Sequence, residues 1–204
     1  NHLGGYSMLT EVLSKYIELV MMNKLYGETA NLEAIHQAID RYLRLRPYSQ
    51  NTERPLFSVG MEPHIYYNKG QHSMHALMGL IGEEKINIAL RNLLTDFAYP
   101  RKPTSLDLLN LFYQQADTAQ KKVIDDLFKR VVFHDFTVHN AKSVQLANGE
   151  YETTIDLSTL KFVVNQANKL EEKERIDEEI EVALFTNFPA EKQTDRFFLT
   201  KHLF

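Results

Sequence analysis

The chain has 204 residues and 44% hydrophobic content, enough for one large or two small domains with real cores. A net charge of −4 with both signs interspersed argues against a nucleic-acid partner or an anionic-membrane surface. Zero cysteines exclude disulfides, cysteine zinc sites and cysteine nucleophiles, so a metal here needs His, Asp or Glu ligands.

The first residues, "NHLGGYSMLTEVL", carry no initiator Met and no signal-peptide pattern, and enter a helical pattern almost at once. The last, "RFFLTKHLF", stop on a hydrophobic, strand-like run. Both ends read as cut, as in a fragment of a larger protein. Between them no run approaches the ~18 apolar residues of a spanning helix.

From Tyr6 to about Val132 the apolar spacing is helical. Leu9, Val12, Leu13, Tyr16, Ile17, Val20 and Met21 form one stripe. A second helix is predicted over residues 30–45, with Leu32, Ile35, Ile39, Leu43 and Leu45 as its apolar set. Between Arg46 and Glu62 the sequence turns polar and proline-containing, which predicts an ordered loop. Met74 and Leu77 own the core stripe of the next helix. Ile86, Ala89, Leu90, Leu93, Leu94 and Phe97 mark another. Thr104 and Ser105, after Pro103, are N-cap candidates for a helix bearing Leu108, Leu109, Leu111 and Phe112. Val123, Ile124, Leu127, Phe128 and Val131 mark a further helix.

After His134 the period changes to two. Phe136 and Val138 alternate with polar residues, as do Val144 and Leu146. Asn148-Gly149 signals a hairpin, because both residues tolerate the positive φ of a type I′ turn. Tyr151, Thr153, Ile155 and Leu157 continue on its far side. Residues 165–179, rich in Asn, Lys, Glu and Arg, predict a solvated loop. Ile180, Val182 and Leu184 then alternate, as do Phe197, Leu199, Lys201 and Leu203.

Several side chains could carry chemistry. His72 and His75 in "HSMH" share a helix face at i, i+3, but two imidazoles complete no metal site and no H-E-x-x-H exists here, so a structural or surface role is favoured. His134 and His139 fall on opposite faces of a strand and do not pair. Glu11 reads as a surface residue paired with Lys15 at i+4, a contact worth about 0.2–0.5 kcal/mol. Tyr67, beside Lys69 and Gly70, could donate to a developing oxyanion, although a buried Tyr with a satisfied hydroxyl is commoner. Residue chemistry alone leaves the function undecided.

The stretch "YNKGQHSMHALMGLIGEEKINIALRNLLTDFAYPRKPTSLDLLNLF" (67–112) resembles the region after the active site in aminopeptidase N-like zinc metallopeptidases, the gluzincins. That family's pattern is Tyr-x-Lys-Gly, an apolar helix ending in Gly, a helix with an Ala-Leu pair, Ala-Tyr, then Thr-x-x-Asp-Leu. Here these are Tyr67, Lys69, Gly70, Gly82, Ala89-Leu90, Ala98-Tyr99, and Thr104 with Asp107-Leu108. Upstream, "MLTEVLSKY" (8–16) is similar to the family's Trp-Leu-Asn-Glu-Gly-x-Ala-x-Tyr helix. Leu9, Glu11 and Tyr16 agree with it, while Met8, Thr10 and Val12 depart.

The resemblance implies an α+β multidomain fold: the α-helical part of a zinc-metallopeptidase catalytic domain over 1–133, then antiparallel strands of a β-sandwich over 134–204 that need not be complete. It implies Glu11 as the third zinc ligand and Tyr67 as the donor to the tetrahedral intermediate's oxyanion. The two zinc histidines and the general base belong to an H-E-x-x-H helix that lies upstream of this chain in the family, as does the Gly-x-Met-Glu-Asn element that binds the substrate amine. The implied activity of the complete protein is hydrolysis of N-terminal peptide bonds of a peptide substrate. The chain by itself is expected to hold no catalytic zinc and to be inert. The rival expectation is a non-catalytic interaction module, or pseudo-peptidase, on the same scaffold. General similarity also points to bacterial members fused to transporter-permease-like segments, which implies a membrane-attached complete protein.

Overall fold

The computed structural model describes residues 5–49, 52–165, 171–174, 176, 180–185 and 194–199. It is an α+β chain that divides into two units, Asn1–Glu174 and Arg175–Phe204.

The first unit opens on a π-helical turn, Met8–Val12, which runs into α1 (Leu13–Leu45). Gly27 breaks α1 with φ 80° and ψ 174°, a backbone that any Cβ would strain, so α1 is two helical segments meeting at a kink. Their buried residues are Tyr16 and Leu19 before the kink, and Asn31, Ile35, Ala38 and Tyr42 after it. This corrects the predicted stripes. Ile17 and Met21 are exposed, as are Leu43 and Leu45, while Ala38 and Tyr42 lie on the inner face of the second segment.

The predicted loop after α1 contains two short 3₁₀ turns, Arg46–Tyr48 and Leu56–Ser58, and buries Glu53, Leu56 and Val59. A second π-helical turn, His64–Lys69, leads into α2 (Gly70–Ile81), with Met74 and Leu77 fully buried as expected. Helices α3 (Glu83–Asp96), α4 (Ser105–Gln114) and α5 (Thr118–Phe128) follow. Ile86, Ala89 and Leu93 are the inner face of α3, and Leu94 points to solvent. Thr104 caps α4: its hydroxyl accepts from the Asp107 N–H while the Asp107 carboxylate accepts from the Thr104 N–H. Asp117 and Gln120 form the same reciprocal box on α5. One core joins these elements, with Met8, Leu77, Leu109, Phe112 and Phe128 among its members.

The sheet of this unit runs β1 (Val132–Gln145), β2 (Tyr151–Val164), β3 (Glu171–Glu174), all antiparallel. The hairpin falls where Asn148-Gly149 predicts it, with a different turn. Gly149 N–H closes on Leu146 O, Asn148 Oδ1 accepts from Glu150 N–H, and Gly149 alone of the pair needs its φ of 88°. Gln145 pairs with Tyr151, so the connection is five residues, 146–150, rather than two. A register shift between Val138 and Asn140 places a bulge at His139. Phe136, Val138, Ala141, Ile155 and Leu157 share one face, while Asp135, Thr137, Lys142, Thr154 and Asp156 share the other.

Residues 171–174, predicted as loop, are strand β3. Their stability comes from pairing with residues 161–164 and from ion pairs of Glu171 to Arg46 and Glu174 to Arg130, neither of which leaves a local hydrophobic signature. The rest of the predicted 165–179 loop, apart from Asn165 and Ile176, lies outside the described residues. In the second unit β4 (Ile180–Phe185) pairs antiparallel with β5 (Thr194–Leu199), on two of the alternating runs. Lys201 and Leu203 lie outside the described residues. Among the described residues no helix is long and apolar enough to cross a membrane.

Candidate functional site

Both residues singled out by the resemblance sit in π-helical turns, Glu11 in Met8–Val12 and Tyr67 in His64–Lys69. A π turn widens the helix by one residue, occurs mostly as a single-turn insertion in an α-helix, and is frequent at functional sites. Side chains bond back to the preceding turn around the first: Thr10 Oγ1 donates to Tyr6 O at 3.2 Å and Ser14 Oγ to Thr10 O at 2.7 Å. The two turns pack together through a close approach. Val12 is fully buried, and a Cβ on Gly70 would lie 2.8 Å from its Cγ2. The branched side chain that departs from the family pattern at Val12 is therefore seated against a glycine.

This packing sets Tyr67 near Glu11. The Glu11 carboxylate near its hydroxyl pushes the Tyr67 phenol up to about 12, with burial, Tyr66 and Tyr6 adding to the shift. The phenol thus keeps its proton across the neutral range and remains a donor. Tyr67 is 38% exposed. Tyr66, packed edge-on at 4.6 Å between ring centroids, is raised as well, by burial first and then by Glu11 and Tyr6. Glu11 thus raises both phenols.

Glu11 does not pair with Lys15, contrary to the helical-spacing expectation. The π turn rotates the i+4 position off its face, and Lys15 Nζ lies 2.6 Å from Glu18 and 5.9 Å from the centroid of the Tyr67 ring. Tyr16, the next family-like position, is buried with its hydroxyl donating to Asn87 Oδ1 at 3.0 Å; burial, then Glu83, pushes it up to about 12.

Lys69, expected only as the start of a helix, is buried in an ion pair. Its Nζ lies 2.7 Å from Glu53 Oε1, and Tyr42 Oη and Arg46 Nε donate to the same carboxylate at 2.7 and 3.0 Å. Burial lowers the Lys69 ammonium and Glu53 opposes that, while burial and Glu53 raise Tyr42. Sequence reasoning missed Glu53, and only its position in a proline-flanked loop marked it. It fixes the lysine two residues beyond Tyr67, and so the end of the π turn that carries the site.

The remaining histidines fall elsewhere. His72 Nδ1 is buried without a hydrogen-bond partner, and burial, with His75, Lys69 and His134 nearby, lowers the ring to about 4. His134 stacks on Phe136, and His139 in the bulge meets Ser158 Oγ at 2.8 Å. Five residues of extended strand separate those two, and they make no common site.

Among the described residues no group of three or more His, Asp or Glu side chains is placed to hold a metal ion. A cleft of about 510 Å³ opens on the other side of Tyr67, between the two halves of α1 and the second π turn. Comparison with protein-family models, with curated proteins and with solved structures gives no match to this chain.

Proposed function

We propose that this chain is the C-terminal part of the catalytic region of a zinc-dependent, aminopeptidase-like metallopeptidase, followed by strands of a β-sandwich. The observation that carries the reading is the nearness of Glu11 to Tyr67, whose phenol it raises, the two residues lying on separate π-helical turns that pack together. Glu11 is the metal-ligating carboxylate and Tyr67 the donor to the oxyanion of the tetrahedral intermediate. Zinc, with Glu11 among the residues that would hold it, would supply water activation and carbonyl polarisation there. This chain's own contribution is a neutral phenol, held at its donor position by the Glu53–Lys69 ion pair that ends the π turn. The exposed apolar row Ile17, Met21 and Leu25 on α1 supports the view that the helical part, 1–133, is one portion of a larger catalytic domain. The one-sided apolar face of the β1–β2 hairpin supports a second β layer and hence a sandwich over 134–204.

The test is made in two arms. After chelator dialysis the chain alone retains no equimolar zinc by elemental analysis and does not turn over aminoacyl reporter substrates. In a chain extended upstream through H-E-x-x-H, Glu11→Ala abolishes zinc retention. There Tyr67→Phe spares zinc and KM but lowers kcat by ~10²–10³-fold, the loss typical of one oxyanion donor. Wild-type turnover by Tyr67→Phe would remove Tyr67 from catalysis. An extended chain that binds no zinc and cleaves nothing returns the fold to the non-catalytic, pseudo-peptidase reading.

A further inference from the structure

The cleft beside Tyr67 has features that the oxyanion role of Tyr67 does not use. Asn68 and Gln71 line it, yet they are only 7% and 5% exposed, and neither side-chain amide has a hydrogen-bond partner among the described residues. Both amides line a space large enough for a small ligand. A carboxamide offers a donor and an acceptor together, which is the complement of a peptide unit. At the rim of the same cleft stand Lys15 and Arg41. Lys15 is neutralised by Glu18 at 2.6 Å, whereas Arg41 has no acidic partner among the described residues. The cleft therefore presents one uncompensated guanidinium above two unpaired amides, with Ala34, Ala38 and Pro63 as apolar wall.

We propose that this cleft is a binding subsite for a short peptide segment bearing a carboxylate, with Asn68 and Gln71 pairing to the peptide backbone and Arg41 to the carboxylate. The proposal rests on the peptidase reading for its ligand class and extends it. Tyr67 forms one wall of the cleft, so a peptide bound there runs from the oxyanion donor toward Arg41. Guanidinium and carboxylate match in a planar, two-pronged pair, and this selects the anionic peptide over a neutral one. The carboxylate is either the C-terminus or an acidic side chain, and the chemistry at Arg41 is the same for both.

The experiment uses the 204-residue chain as it stands, with ¹⁵N-labelled side-chain amides followed by NMR and affinity measured by calorimetry. Three probes are titrated: Ala-Ala-Ala as the free acid, Ala-Ala-Ala-NH₂, and acetyl-Ala-Glu-Ala-NH₂. The expected result is movement of the Asn68 and Gln71 NH₂ resonances with at least one carboxylate-bearing peptide. Affinity for that peptide should fall ~tenfold in Arg41→Gln, the scale of one charge-assisted hydrogen bond. Binding of the free acid alone identifies the terminus, and binding of the glutamyl peptide alone identifies a side chain. Equal binding of Ala-Ala-Ala-NH₂, an unaffected Arg41→Gln, or unmoved Asn68 and Gln71 resonances overturns the proposal. Arg41 is exposed, so its substitution tests binding without threatening the fold. Because no hydrolysis is read, loss of the peptidase reading leaves this result intact, and failure here leaves the Tyr67→Phe kinetics to be judged separately.

Discussion

Glu53 accepts hydrogen bonds from Tyr42, Arg46 and Lys69 while only 5% exposed, so its removal and the removal of a partner have unequal consequences. Glu53→Ala strands the Lys69 ammonium, itself 7% exposed, together with the Tyr42 hydroxyl. Breaking a buried pair in this way costs about 3–5 kcal/mol. Lys69→Met leaves Glu53 with Arg46 and Tyr42 and should cost less, by at least ~1 kcal/mol, the worth of one net hydrogen bond. Urea unfolding of the two variants measures the difference, and equal losses would show that Glu53 does not depend on its other partners. His72 supplies a pH signature at the same scale. Its folded pKa lies at about 4 against an ordinary 6.5, because burial and the neighbouring His75, Lys69 and His134 disfavour the charged ring. The unfolded chain therefore takes up the proton first as pH falls. The stabilisation from a neutral His72 is whole above pH 6.5 and is lost progressively down to pH 4. Its full size is up to roughly 3 kcal/mol. His72→Gln should flatten the stability curve through that window and leave it nearly unchanged above it. An acid limb as steep as wild type would place the titrating group elsewhere.

At the scale of elements, the junction of the two π turns depends on Val12 seated against Gly70. Gly70→Ala places a methyl 2.8 Å from Val12 Cγ2, an overpacking worth about 1–3 kcal/mol that helix propensity offsets by at most ~1. Val12→Ala opens a cavity by itself but removes the clash. The double variant should therefore be less destabilised than the sum of the singles, with a coupling above ~0.5 kcal/mol in a double-mutant cycle. Additive losses would mean that the turns do not press on one another there. How much of the architecture the sequence reveals follows from the range of the forces involved. The α4 cap at Thr104 and the Met74–Leu77 face of α2 were legible, because capping and 3.6-residue periodicity are local. The inner face of α1 was misread at Ile17, Met21, Leu43 and Leu45, because apolar residues at helical spacing also stand on exposed surface. β3 was missed because a run of Glu and Lys carries no apolar alternation, and its order comes from β2, Arg46 and Arg130. At the candidate site, the nearness of Glu11 to Tyr67, the buried Glu53 and the amides of Asn68 and Gln71 lining one cleft depend on tertiary contacts that no spacing encodes.

At the scale of the whole first unit, the sheet is joined to the helices at the base of the hairpin. Lys161 of β2 is 4% exposed and lies 2.5 Å from Asp126 of α5, which also binds Arg130, while Arg130 reaches Glu174 of β3. Phe133 of β1 stacks on Tyr42 of α1 and lies under Arg46, and Val164 N–H bonds to Val131 O. Beyond that base the strands are mostly exposed, from Phe136 out to Leu146 and back from Tyr151 to Leu160. Asp126→Ala should therefore act on the joint rather than on the core, because it removes the carboxylate that lies 2.5 Å from the Lys161 ammonium. Native-state hydrogen exchange separates the alternatives. If hairpin and helices open as distinct cooperative units, amides of residues 161–164 and 171–174 exchange faster in Asp126→Ala, while those of α3 and α4 keep wild-type protection. If all of them accelerate together, the hairpin shares the global unfolding of the helical core. The first outcome is expected, because the helical core is closed by Leu77, Leu109, Phe112 and Phe128 without any side chain from the sheet.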